Sequence, residues 1–132
     1  MQTDVLIVGA GPVGIATAIA ASLKGLRVTL VDSRKPPIDR PGGEGLLPEA
    51  MLSLRSIEIR IDSTVGFPLT GIHFSDEDHS ASAQIQKGEA FGFRRVALHQ
   101  LLISRAEELG ISFLWGARIS NPDSRRSSVD GA

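Results

Sequence analysis

The chain has 132 residues, a formal net charge of −1, 42% hydrophobic residues and no cysteine. That length suits one domain with a real core, and a nearly neutral chain lacks the basic footprint of a nucleic-acid binder. Without cysteine, disulfides, thiol chemistry and cysteine-ligated metals are excluded, and no run of about 20 uninterrupted apolar residues suggests a membrane span.

Val5 to Val8 is a short apolar run rich in β-branched residues, and it reads as a parallel strand covered on both faces. Asp4 opens it and no basic segment precedes it, so a strand is expected rather than a signal peptide. The turn Gly9-Ala10-Gly11-Pro12-Val13-Gly14 follows. In a strand–turn–helix setting, Gly9 permits the sharp turn, Gly11 lets a pyrophosphate approach the backbone, and Gly14 lets the helix pack tightly on the strand. Pro12 is tolerated in the first helical turn, where its missing N–H has no intrahelical partner. The helix is small and apolar through Ile15, Ala18, Ile19 and Leu23, and Gly25 is placed to end it. Leu26 to Val31 reads as the second strand, with Asp32 at its carboxyl end. A carboxylate about 20 residues beyond the glycines is placed to accept hydrogen bonds from a ribose diol, and it disfavours a 2′-phosphate. These features predict a dinucleotide-binding βαβ unit, with FAD or NAD preferred over NADP at this position. No Gly-Lys-Ser/Thr follows the glycines, so a P-loop is excluded.

Residues 33–43 form a loop rich in proline, glycine and charge. Leu47, Met51 and Leu54 recur at helical spacing. From Ile57 to Val65, the alternation of Ile57, Ile59 and Ile61 with polar residues favours a strand by period. Gly71–Ser75 and Ala81–Gln86 read as a hairpin across the acidic turn Asp76-Glu77-Asp78, which lacks the spacing of a calcium loop. A helix from about Val96 to Leu109 is closed by Gly110, and Ile111–Trp115 reads as a third parallel strand with Trp115 in the core. From Ser120 the chain turns polar, and residues 120–132 are expected to be a disordered tail. His73, His79 and His99 are scattered without ligand spacing, so no metal site is expected, and His99 reads as a surface or packing residue.

Three motifs carry a family resemblance. Gly14, Ala18 and Gly25 extend the glycine turn in the manner of flavoproteins with two dinucleotide-binding domains. Arg40-Pro-Gly-Gly-Glu-Gly-Leu-Leu-Pro-Glu49 resembles a loop of the geranylgeranyl reductase-like branch of the para-hydroxybenzoate hydroxylase superfamily, with Gly42 where that branch often has cysteine. Arg95-Val-Ala-Leu98-His-Gln-Leu-Leu102 resembles the superfamily's Arg-x-x-Leu-x-x-x-Leu helix. The resemblance covers residues 1–119 and implies an α/β, Rossmann-like FAD/NAD(P)-binding fold, and it places a loop or helix end at residues 57–65 where the period favours a strand. That fold is expected to be incomplete here, with a small antiparallel β insertion over about residues 66–94 on the substrate side. It implies FAD as cofactor, NAD(P)H as a co-substrate and a small-molecule or lipid-like substrate. It further implies that Ser33, Gly42, Gly43, Gly45 and Arg95 approach the FAD and that Ile119 offers a backbone contact to the adenine.

The superfamily's later Gly-Asp motif has no counterpart, and Val129-Asp130-Gly131-Ala132 only hints at the Asp-Gly motif that precedes it. The chain therefore reads as the amino-terminal portion of a cytoplasmic flavin-dependent oxidoreductase, either monooxygenase or isoprenoid reductase. A non-catalytic or truncated nucleotide-binding module and an NAD-binding dehydrogenase domain stand as alternatives. No residue has the setting of a required acid or base, Glu44 included, so no catalytic residue is assigned.

Overall fold

The computed structural model describes residues 2–39, 45–120 and the backbone of 128–130. In chain order its elements are β1 (Val5–Val8), α1 (Pro12–Leu23), β2 (Val28–Asp32), β3 (Gly45–Leu46), α2 (Pro48–Ser56), β4 (Phe67–Leu69), β5 (Gly71–Ser75), β6 (Ser80–Gln84), β7 (Ala90–Gly92), α3 (Arg95–Glu108), β8 (Ser112–Trp115), β9 (Arg118–Ser120) and β10 (Ser128–Asp130). They fall into two compact units, one of residues 1–40 with 98–132 and one of residues 41–97.

The first unit is built on a parallel sheet of order β1-β2-β8. Val5 pairs with Val28 and Val8 with Val31, while Thr29 pairs with Ser112 and Asp32 with Trp115. The third parallel strand is therefore the one anticipated from Ile111–Trp115. Val28 to Val31 are all buried, without alternation, as a central strand covered on both faces requires. At the edge, β1 is only half-buried, and Val8 at its end is exposed. Ile15, Ala18 and Ile19 of α1 are fully buried, as are Leu30 of β2 and Ala106 of α3. Each buried isoleucine or leucine contributes about 1.5–3 kcal/mol. Asp4 accepts hydrogen bonds from the Arg27 backbone and guanidinium at 2.7–3.0 Å, tying the start of the chain to the start of β2.

The two helix ends of this unit share one device. Gly25 (φ +84°) donates to Ser22 O and Leu26 to Ala21 O, and Gly110 (φ +73°) donates to Glu107 O and Ile111 to Ala106 O. These are Schellman caps, with glycine in the left-handed position.

In the second unit, α2 packs Met51 and Leu54 inward, and β3, β7 and β4 form an antiparallel sheet of order β3-β7-β4. Ile57, Ile59 and Ile61 are buried but follow α2 as irregular chain, so the period-2 pattern marks alternating burial rather than a strand. Here α2 ends in the same Schellman pattern, with Glu58 at φ +62° where the other two helices have glycine. The hairpin β5–β6 pairs Gly71 with Gln84 and Ser75 with Ser80. Its turn is braced by Asp76, whose carboxylate accepts the Asp78 and His79 amides at 2.9 and 2.7 Å. Those bonds lower the Asp76 pKa from the ordinary carboxylate value, the Asp78 amide contributing most.

Ser120 belongs to β9, and Ser128–Asp130 pairs antiparallel with it, so part of the segment read as a disordered tail is a strand. Backbone pairing supplies order there that the side-chain composition does not advertise.

Candidate functional site

The corner between β1 and α1 assigns each glycine a different role. Gly9 has φ +103°, a conformation that glycine alone adopts readily, and its N–H donates to Val31 O at 2.7 Å. A Cβ on Gly14 would sit 1.9 Å from Gly9 O, so the helix lies against the strand end closer than any side chain allows. Gly11 is different: its φ is −77°, and a Cβ built on it meets nothing within 4 Å. Neither conformation nor packing among the described residues calls for glycine at that position. Its bareness suits a group from outside that must lie against the backbone.

The start of α1 supports the same conclusion. Gly11 is the N-cap and gives no side-chain hydrogen bond, Pro12 is at the first helical position, and the first turn carries no acid. The orphan amides and the positive end of the helix dipole are thus left uncompensated by local side chains, a setting that favours an anion. Val13 in that turn is exposed.

Asp32 ends β2 and turns back toward the corner. Its Oδ2 accepts the Ala10 N–H at 2.9 Å, and its Oδ1 accepts the Arg34 N–H at 2.9 Å. Each carboxylate oxygen keeps acceptor capacity for a sugar hydroxyl. A cleft of about 370 Å³ opens here, lined by Gly9, Asp32, Ser33, Arg34, Arg118 and Ile119 among others. The structure therefore brings Gly9, Ala10, Asp32, Ser33 and Ile119 together. Arg34 and Arg118 join them without having been singled out in the sequence.

Gly42 and Gly43, with Glu44, lie outside the described residues. Gly45 belongs to the second unit, where it pairs with Gly92. Arg95 opens α3 in that unit and is half-buried. A larger cavity of about 860 Å³ in the second unit is lined by Arg55, Glu58, Arg60, Asp62, Glu89 and Phe91 among others. There Arg55 pairs with Glu89, and Asp62 accepts from the Thr64 amide and hydroxyl. Among the described residues no cluster of histidine and carboxylate side chains is suited to a metal.

His99 is the residue that the sequence understated. It is 4% exposed, and its Nε2 lies 2.7 Å from Ala10 O. The Trp115 ring meets it edge-on at 6.4 Å and in turn stacks on Phe113 at 4.9 Å. A signal was present, because Leu98, Leu102, Ile103 and Ala106 mark the buried stripe of α3 and His99 falls within it.

Comparison with known proteins bears on this geometry. A family model described as "FAD binding domain" matches residues 2–131. A 3-(3-hydroxy-phenyl)propionate/3-hydroxycinnamic acid hydroxylase of Mycobacterium avium is 49% identical over 56 residues, covering 42% of this chain and 10% of the hydroxylase. A menaquinone reductase of Mycobacterium tuberculosis is 43% identical over 56 residues, covering 42% of this chain and 14% of the reductase. The fold matches p-nitrophenol 4-monooxygenase PnpA of Pseudomonas putida with a TM-score of 0.78 at 16% identity, over 95% of this chain and 34% of that one. The match thus spans only a small part of the curated relatives' length. Among the described residues, no helix is long and apolar enough to cross a membrane.

Proposed function

This chain belongs to the FAD binding domain family, and from that membership we propose that it is the cofactor-holding portion of a flavin-dependent oxidoreductase. In this reading the pyrophosphate lies against Gly9–Gly14, and the adenosine ribose is held by Asp32 beside Ser33 and the backbone of Ile119. Gly42, Gly43, Gly45 and Arg95 serve the flavin side. The observation that carries the reading is Gly11, bare and open where nothing among the described residues requires glycine.

The residues at the corner bind and orient. Amides of the α1 terminus neutralise phosphate charge, while Asp32 accepts from the ribose diol and repels a 2′-phosphate. Redox chemistry would come from the isoalloxazine of bound FAD, with NAD(P)H as the co-substrate. A small-molecule or lipid-like substrate accords with relatives named for an aromatic acid hydroxylase and a menaquinone reductase. Nucleic acid is not a partner in this reading, and the location is the cytoplasm, with which a cysteine-free sequence is compatible.

The test is direct. The purified chain is incubated with FAD, passed through gel filtration and examined for flavin absorbance, with a parallel titration by flavin fluorescence. Binding is expected to be weak, and AMP is expected to compete. A chain that ignores FAD but takes up NAD overturns the assignment in favour of a dehydrogenase-type domain. One that takes up neither is a non-binding module.

A further inference from the structure

The Ala10 peptide groups are held from both sides by side chains remote in sequence. The N–H of Ala10 is held by Asp32, 22 residues away, and its C=O faces His99, 89 residues away. We propose that His99 is a positioning residue of the glycine turn, donating from Nε2 to the Ala10 carbonyl so that the turn is set before a cofactor arrives. The proposal rests on the dinucleotide reading of the corner.

A carbonyl oxygen only accepts, so at 2.7 Å the Nε2 must carry the hydrogen. The two bonds act on different peptide planes. Asp32 holds the Gly9–Ala10 plane and His99 holds the Ala10–Gly11 plane. Both planes border a glycine, where the backbone is freest. In a trans peptide the C=O and N–H point in opposite directions. Drawing the Ala10 carbonyl toward His99 therefore aims the Gly11 N–H away from it. That amide belongs to the glycine whose Cβ position opens onto empty space.

The support behind His99 is equally specific. Its ring is buried and set edge-on to Trp115, and Trp115 is the register partner of Asp32 across β2 and β8. Asp32 thus ends one strand, and the ring against which His99 is seated ends the neighbouring one. Fixing donors before binding spares the ligand the entropy of ordering them.

The test compares His99→Phe, which keeps a ring against Trp115 but has no donor, with His99→Gln, whose amide restores one. Using the full chain, amide hydrogen exchange is followed by NMR and FAD affinity by flavin fluorescence. In His99→Phe the Ala10 amide, held by Asp32, should exchange about tenfold faster while the Ile7 amide keeps its protection, and the Kd for FAD should rise about tenfold, the scale of one hydrogen bond. His99→Gln should recover most of both changes. Unchanged turn exchange in His99→Phe overturns the proposal. So does a loss of protection spread equally through β1, or failure of His99→Gln to rescue, since either marks His99 as packing alone. If the wild-type chain takes up no FAD, the dinucleotide reading fails, and the exchange data still decide whether His99 holds the turn.

Discussion

Gly14→Ala and Gly11→Ala make the same chemical change three residues apart, and the structure predicts opposite consequences. At Gly14 the new methyl would lie 1.9 Å from Gly9 O and 3.1 Å from Gly9 C. Both atoms are backbone, so no side chain can swing aside. Restoring a C···O contact of about 3.3 Å requires the helix start and strand end to part by roughly 1.4 Å. Overpacking of this kind costs about 1–3 kcal/mol, and a backbone obstacle places it near the upper end. The better helix propensity of alanine returns up to about 1 kcal/mol. The net loss of about 2 kcal/mol should lower Tm by roughly 6–10 °C for a chain of this size. At Gly11 the methyl meets nothing within 4 Å, and φ is −77°. The poorer N-cap and the lower chain entropy of alanine roughly cancel, leaving Tm within about 2 °C of wild type. FAD affinity should nevertheless fall at least about tenfold, because the methyl occupies the approach to the backbone. Circular dichroism melts and flavin titrations of both variants decide the matter. A Gly11→Ala chain that binds FAD as well as wild type refutes the argument for the site. A Gly14→Ala chain with unchanged Tm refutes the argument for the corner.

Other outcomes follow from the same geometry. Asp32→Ala removes the acceptor for the Ala10 and Arg34 amides, so it should lower Tm and weaken FAD binding together, each charged hydrogen bond being worth about 1.5–3 kcal/mol. Asp4 has its pKa lowered to about 2, first by the Arg27 side-chain hydrogen bond and then by the Arg27 amide. The unfolded chain binds more protons below the ordinary value, so this contribution is complete above about pH 4 and is lost as pH falls toward 2. Acid melts of Asp4→Asn should show a shallower pH dependence over that window. Gly110→Ala forces a methyl into φ +73° with no clash nearby, and it should cost about 1 kcal/mol in urea denaturation.

How much was legible depended on how local the cause was. The strand, turn and helix at Val5–Leu23 could be read because each glycine answers to a steric rule within a few residues, and Asp32 because its spacing follows from one helix and one strand. The acidic turn at Asp76 and the glycine stops at Gly25 and Gly110 were readable for the same reason. Ile57–Ile61 misled by period, since alternation reports which side chains are buried and says nothing about whether a neighbouring strand exists to pair with. The short strands β3, β4 and β10 were not readable, because two or three residues carry too little pattern and their order comes from partners elsewhere in the chain.

Sequence alone therefore determined the βαβ corner, the bare turn and the acid beside it, since covalent neighbours and helix geometry decide those. Tertiary structure alone decided that His99 faces Ala10 and that Trp115 stands beside Asp32. A contact across 89 residues depends on how α3 packs and on the register of β8 with β2, and neither is encoded in any stretch short enough to read by pattern.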